Sequence, residues 1–378
     1  MSRRVIIAGG GIGGLAAAVA LDRAGLDVQV YERAPVFAEA GAGMSLWPNA
    51  TRILRSWGLL DAVMAVGEPV SSFDLLRPTG AAISEIPMGV GDSPAVCLHR
   101  ADLHRILRQA LSPGQLNPSR ILTSFHEGED GRVTARFGDG GEASGEGLIG
   151  ADGVGSVVRE RLHGRASPVY RGYTIWRGIA RGVGVQGKGH ISETWGSGQR
   201  FGVMPIGGGQ VCWYATRNGP AGRPDGPGGR QQEILELFRG WHNPVADLVA
   251  ATDPVQILKN DARDLPPLSS WGSGCVSLLG DAAHPITPNV GQGACMAIED
   301  AAILAKCLAA EPDTRVALRA YERARRPRTA YVSRQSNRVG AIGQFENPLL
   351  VGARDLVARA FLWASHDMAF NSVYAFQV

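Results

Sequence analysis

Three glycines and a glutamate carry the first recognisable chemistry in this chain. In VIIAGGGIGGLAAAVALDRAGLDVQVYER, Gly9, Gly11 and Gly14 hold a GxGxxG spacing, and Glu32 follows 18 residues after the last of them. Gly9 suits a tight turn, Gly11 lets a pyrophosphate approach the backbone, and Gly14 lets a helix pack closely on a sheet. A carboxylate about 20 residues further on is placed to accept hydrogen bonds from a ribose. The same spacing recurs in GEGLIG from Gly145 and GVGVQG from Gly182. Only the N-terminal copy has a strand before it, a helix after it and an acidic residue ending the next strand. A second anion-friendly stretch lies far downstream, in CVSLLGDAAHPITPNVGQGACMAIEDAAILAKCL. There Gly280 and Asp281 follow a buried strand, while Gly291, Gly293 and Ala294 open a helix whose free N–H groups attract negative charge.

These residues need elements to deliver them. RRVIIAG reads as a short buried strand and IGGLAAAVALDRAG as the helix behind it. With 378 residues, 44 % hydrophobic and 19 % charged, the chain is long enough for two or three layers around a sizeable core. Its 51 glycines are scattered without a repeat, which implies many tight turns. A formal charge of +3 is too small to demand a polyanion, so no nucleic-acid partner is expected. The arginines between Arg315 and Arg338 read as a solvated helical face or as a surface that guides an anionic nicotinamide cofactor. No apolar run reaches the roughly 18 residues of a membrane span, and the chain opens on a strand, so no membrane insertion and a cytoplasmic location are expected. The five cysteines never fall in a CxxC spacing and the histidines form no ligand pair, so no metal is expected.

GDAAHPITPNVGQG resembles the flavin-contacting motif of the single-component FAD-dependent aromatic hydroxylases, the family of para-hydroxybenzoate, salicylate and 3-hydroxybenzoate hydroxylases. GADGVGSVVRERL is similar to that family's central motif, with Asp152, Gly153, Ser156 and Arg159 in place. GAGMSLWPNATRILRSWGLLDAV and LHRADLHRILRQAL resemble its first-domain segments. The resemblance implies that the dinucleotide is a resident FAD. It places Glu32 and Arg33 at the adenosine end, Gly43 and Arg100 along the cofactor, and Arg100 at the pyrophosphate or ribityl region. Asp281 falls to the ribityl chain, Asp152 to the fold and the cofactor together, and Gly291, Gly293 and Ala294 to the flavin pyrimidine edge. His284 and Pro285 lie inside the motif as structural residues.

The implied fold is α/β: a Rossmann-like FAD-binding domain (1–70, 97–165 and 275–330) interleaved with a mostly antiparallel β-sheet substrate domain (71–96 and 166–274). A C-terminal helical segment (331–378) follows, with Pro327 and Pro348 read as interruptions. The implied reaction uses NADH or NADPH as a transient reductant and transfers one oxygen atom of O2, through a flavin hydroperoxide, to a small aromatic or N-heterocyclic substrate. An epoxidase or tailoring oxygenase of secondary metabolism is the alternative, and a non-catalytic flavin-binding protein a distant one. A flavin halogenase lacks support because no WxWxIP-like stretch occurs. Arg200 resembles the arginine that FAD-dependent urate hydroxylases aim at their substrate, and would favour an anionic ligand. The tyrosine those enzymes carry twelve positions on is Cys212 here, which argues against urate. Alternation puts Tyr214 on the same sheet face and Trp213 on the other. Arg200 and Tyr214 are thus the catalytic candidates, and Trp176, Trp195, Arg200, Cys212, Tyr214 and Pro288 the substrate-binding ones. The assembly is expected to be a monomer or a homodimer.

Overall fold

The computed structural model describes residues 3–37, 41–88, 93–185, 187, 189–374 and 376–377, with backbone alone for 361–371. The apolar run Val5–Ala8 is buried throughout, as an inner strand of a parallel sheet must be. Strand Arg4–Ala8 lies between Asp27–Tyr31 and Gly147–Gly150, and Leu116–Asn117 and Val276–Leu278 complete a five-stranded parallel sheet at its two edges. GEGLIG therefore supplies a core strand and no phosphate loop. A Cβ on Gly150 would stand 2.7 Å from Val158 and 2.9 Å from Leu278. Helix Ile12–Arg23 connects the first two strands, and helix Gly293–Ala310 lies along it. Gly13 permits this approach, since a Cβ there would meet Leu279 at 3.1 Å and Ala297 at 3.4 Å. A small antiparallel sheet of Leu122–Glu127, Val133–Phe137 and Glu142–Gly145 follows, a feature the sequence pattern did not single out.

The second layer is a seven-stranded sheet in the order Leu258–Asp264, Val169–Arg181, Gln210–Asn218, Gln199–Pro205, His190–Trp195, Ser72–Leu76, Ala82–Pro87. Its pairings are antiparallel except that between His190–Trp195 and Ser72–Leu76. The expected hairpin is present, with Gly80 N–H closing the turn onto the Arg77 carbonyl at 2.8 Å. Alternation divides the residues of this sheet between two faces. Val211, Trp213 and Ala215 join Phe201 and Val203 in a core beneath helices Gly229–Leu237 and Val245–Ala250. Trp176, 1 % exposed, sits in that same core, so it cannot stack on a ligand at the opposite face. Its assignment to the substrate site is corrected accordingly.

The C-terminal helices run Thr314–Gly343 and Pro348–Tyr374. Pro327 does not interrupt the first of them, whereas Pro348 opens the second. Packing explains the difference: the turn around Pro327 is pinned by Arg325, 0 % exposed between Glu299 and Asp300 at 2.7 Å each. The arginine-rich run is a solvated face in part: Arg315, Arg323, Arg334 and Arg338 are exposed, while Arg325 is buried. Arg315 pairs with Glu127 at 2.7 Å, Arg319 with Glu322 at 3.0 Å and Arg328 with Glu299 at 3.1 Å. No helix among the described residues is long and apolar enough to cross a membrane.

Candidate active site

The end of strand Arg4–Ala8 delivers the first glycine loop. Gly9 has φ +111°, and a Cβ there would press on Asp152 Cα at 2.9 Å. A Cβ on Gly14 would collide with the Gly9 carbonyl, which is why this position tolerates no side chain. Gly11 caps helix Ile12–Arg23, whose first turn has no acidic residue and no side-chain cap. Its N–H groups are left for an external anion. Glu32, at the end of the next strand, accepts from Gly10 N–H at 2.7 Å and Ala34 N–H at 2.8 Å. A carboxylate has about four lone-pair sites, so acceptor capacity remains for a ribose. Arg33 beside it is exposed. Arg100 begins helix Arg100–Gln109 and lies against Gly41, whose added Cβ would be 3.3 Å from Arg100 Cδ.

Asp152 is the orphan of this half. One carboxylate oxygen accepts from Val157 N–H at 2.8 Å and Val158 N–H at 3.3 Å, while Oδ1 is buried without a partner. Buried acceptors are ordinarily satisfied, so an absent hydrogen-bonding group is implied next to Gly9. Arg159, 5 % exposed, donates to the Ala282 carbonyl at 2.8 Å and the Asp281 carbonyl at 3.3 Å, tying the central motif to the downstream one.

The downstream loop is braced from behind. Asp300 accepts from Gly280 N–H at 3.1 Å and Arg325 Nε at 2.7 Å, with His284 Nε2 at 2.6 Å. Burial works to raise the Asp300 carboxyl, but His284 and Arg325 together hold it below the usual carboxylate range. His284 is thus a structural residue, its ring packed at a tilt against Trp271. Asp281 and Pro288 are exposed at the front of the loop. Gly291 has φ +59° and presses on Ser45 Oγ, 2.7 Å from where a Cβ would be. Helix Gly293–Ala310 then starts with no acidic first turn, no side-chain cap and open space over Gly293. Ala294 follows in its first turn, partly exposed.

Strand Gly43–Leu46 forms the seam between cofactor loops and sheet. Gly43 N–H donates to Cys212 Sγ at 3.2 Å, and a Cβ on Gly43 would stand 2.6 Å from Cys212 Cβ. Burial pushes the Cys212 thiol up to about 11, against the pull of the Gly43 N–H and Arg177. Register puts Cys212, Tyr214 and Thr216 on this face opposite Ile179, Arg177 and Ile175. Arg200 faces Thr216 across the strands, and Trp195 faces Arg200. Gly202 leaves room for the Tyr214 ring, which a Cβ there would strike.

Arg200 is brought to this face but is already engaged. It is 2 % exposed and donates to Gln344 Oε1 at 3.1 Å, Glu193 Oε1 at 3.0 Å and Asn289 Oδ1 at 2.6 Å. Its guanidinium also lies 5.5 Å from the Tyr173 ring centre. Burial alone would lower its pKa; Glu193, together with the Tyr173 and Tyr214 hydroxyls, more than offsets that and keeps the cation charged. Burial, with Glu193 beside it, raises the Tyr214 hydroxyl well above its ordinary value, so the phenol stays protonated toward the carboxylate. Trp195 has one ring face covered by Arg354 at 5.1 Å. Sequence reading missed Glu193, Asn289, Gln344 and Tyr173. The only signal for Glu193 was a lone acid within the apolar alternation of HISETW.

Comparisons with known proteins agree with this geometry. Residues 2–336 match the family model described as FAD binding domain. The chain is 42 % identical over 360 residues to aurachin C monooxygenase/isomerase of Stigmatella aurantiaca, covering 94 % of this chain and 93 % of that protein. It is 36 % identical over 350 residues to 3-amino-4-hydroxybenzoate 2-monooxygenase PtnB3 of Streptomyces platensis, covering 89 % and 87 %. Among solved structures, Klebsiella pneumoniae HpxO complexed with FAD and uric acid superimposes with TM-score 0.90 at 29 % identity, covering 99 % and 96 %. Two uncapped helix starts, an orphaned aspartate and a glycine cradle fit the cofactor of these relatives, and the chain belongs to the family of FAD-dependent monooxygenases.

Proposed function

We propose that this monooxygenase uses NADH or NADPH to insert one oxygen atom of O2 into an aromatic or N-heterocyclic ring held against the Cys212–Tyr214 face. The observation that carries this reading is the seam itself: Gly43 touches Cys212 while Ser45 touches Gly291. A flavin lying along the cofactor loops would therefore meet the sheet face directly. Bound FAD supplies the redox chemistry, taking electrons from the nicotinamide and activating O2. Gly9, Gly11, Gly14 and the start of helix Ile12–Arg23 receive the diphosphate. Glu32 and Arg33 hold the adenosine end, and Gly43, Arg100, Asp152 and Asp281 hold the middle. Backbone N–H groups of Gly291, Gly293 and Ala294 stabilise negative charge at the pyrimidine edge.

On the substrate side, Tyr214 and Cys212 contact the ring, Trp195 offers its remaining edge, and Pro288 borders the entrance. Arg200 acts from behind as a positioning residue. Tyr374, whose hydroxyl donates to the Val290 carbonyl at 3.2 Å and whose ring lies 4.5 Å from Trp47, excludes water from the C-terminal side. The same reading carries a cytoplasmic enzyme that works as a monomer or homodimer on small molecules.

The test is NADH and NADPH consumption against phenolic acids, hydroxypyridines, purines, quinolones and aurachin C, with hydrogen peroxide and product mass measured together. A compound that accelerates oxidation without matching peroxide and gains one oxygen atom on the ring supports the reading. An epoxide product would favour the epoxidase alternative. Stoichiometric peroxide with every accelerating compound would refute oxygen transfer to this panel.

A further inference from the structure

We propose that Arg177 is the specificity-determining residue of the substrate face and binds the carboxylate of an aromatic acid there, a part that Arg200 is too enclosed to take. The proposal rests on the monooxygenase reading above and narrows it to a substrate class. Its first support is that Arg177 and Arg200 stand on the same face and differ in their counter-charge. Arg200 is 2 % exposed and paired with Glu193 at 3.0 Å, with further hydrogen bonds to Asn289 and Gln344. Arg177 is half-buried, and its buried Nε has no hydrogen-bond partner. Among the described residues no carboxylate acts on it: burial lowers its pKa, Cys212 draws it up and Arg100 pushes it down.

The second support is that the neighbours of Arg177 cannot supply the missing charge. In register it stands opposite Tyr214, and Ile179, two residues on, stands opposite Cys212. Burial raises both the Tyr214 hydroxyl and the Cys212 thiol, so both stay protonated and neutral. Ile175 and Ile179 flank Arg177 along its own strand, and Leu258 faces it on the edge strand. Arg100 only adds positive charge to the same field. Buried donors are ordinarily satisfied, so the anion comes from outside the chain. A guanidinium fork matches a carboxylate with two parallel hydrogen bonds, while the isoleucines, Tyr214 and Cys212 give a ring a largely apolar surface to pack on. The FAD diphosphate has its own reception at the uncapped start of helix Ile12–Arg23, which leaves Arg177 to the substrate.

The test uses the FAD-loaded enzyme and matched pairs of hydroxylated rings that differ only in a carboxylate against its primary amide, such as salicylate and salicylamide. Binding is read from perturbation of the flavin absorption spectrum, and oxygenation from product mass. The wild-type enzyme should bind the carboxylates at least tenfold more tightly than the amides. Arg177→Gln should cut carboxylate affinity at least tenfold while amide affinity, and FAD affinity by apoprotein titration, stay within roughly threefold. Arg177→Lys, which keeps the charge without the fork, should recover part of the carboxylate affinity. Amides that bind as tightly as the carboxylates, or no binding of any carboxylate, would overturn the proposal, and that wild-type comparison stands whether or not a variant folds. A preference that persists in Arg177→Gln would overturn it as well, and so would a loss of FAD affinity alone, which would give the cation to the cofactor. A carboxylate preference that depends on Arg177, with no oxygenated product from any pair, would instead overturn the monooxygenase reading and leave the role of Arg177 standing.

Discussion

At the scale of single residues, the buried charges decide what the site can be. Asp300 sits at 0 % exposure between His284, Arg325 and the Gly280 N–H, holding the cofactor loop to two helices at once. Breaking a buried pair from one side leaves an uncompensated charge, which costs about 3–5 kcal/mol. Asp300→Asn should therefore lower stability by that order and weaken FAD binding, as measured by denaturant unfolding and apoprotein titration. Because the folded carboxyl is held below its unfolded value, its stabilisation is present above about pH 4 and is lost as pH falls through the folded value. The acid limb of the wild-type stability profile should accordingly be steeper than that of the variant, and parallel limbs would contradict the assignment. Cys212 gives a second prediction. Its thiol, pushed up to about 11 by burial, stays protonated at pH 8, so it should resist alkylation while the partly exposed Cys307 reacts first. Peptide mapping after brief iodoacetamide treatment reads the order.

At the scale of elements, the C-terminal helix Pro348–Tyr374 does more than finish the chain. Arg328 donates to the Ser372 and Val373 carbonyls at 2.6 Å each, which sets Tyr374 over Trp47 and the Val290 carbonyl beside the cofactor loop. Arg328→Ala should loosen this closure and admit water, raising the peroxide released per NAD(P)H at least severalfold while FAD stays bound. Unchanged coupling would remove the helix end from the site. The elements that could be read in advance were those with a strict local rule. Glycines that no side chain can replace and strands with alternating faces marked the cofactor loops and set Tyr214 with Cys212, apart from Trp213. What could not be read depended on distant partners. Arg200 is paired with Glu193 and donates to Asn289 and Gln344, at separations of 7, 89 and 144 residues, and no spacing rule links them. Trp176 failed for a related reason: alternation separates two faces of a strand but does not say which one looks toward the cofactor. Pro327 likewise follows a local rule that buried Arg325 overrides.

At the scale of the whole molecule, the sheet and the cofactor unit are joined by side chains that serve both. Tyr173 donates to Asn289 at 2.9 Å, Asn337 to Asp264 at 2.8 Å, and Arg171 to the same aspartate at 2.8 and 3.0 Å. Asn289 belongs to the cofactor loop and Asn337 to helix Thr314–Gly343, so neither layer can detach without stranding buried polar groups of the other. The expectation is one cooperative unfolding transition, to which FAD is linked as a ligand of the folded state alone. At a hundredfold excess over its Kd, FAD should add about 2.7 kcal/mol. With an unfolding entropy near 2 cal/mol/K per residue over 378 residues, that corresponds to a rise of about 3 °C in Tm. Tryptophans report on both layers, since Trp213 lies in the core under the sheet while Trp47 and Trp271 lie in that of the cofactor unit. Far-UV circular dichroism, tryptophan emission and flavin release should then share one midpoint that moves with FAD concentration. A split transition, in which only the flavin-release step moves with FAD, would mean that the sheet unfolds on its own and that the shared side chains do not couple the two layers.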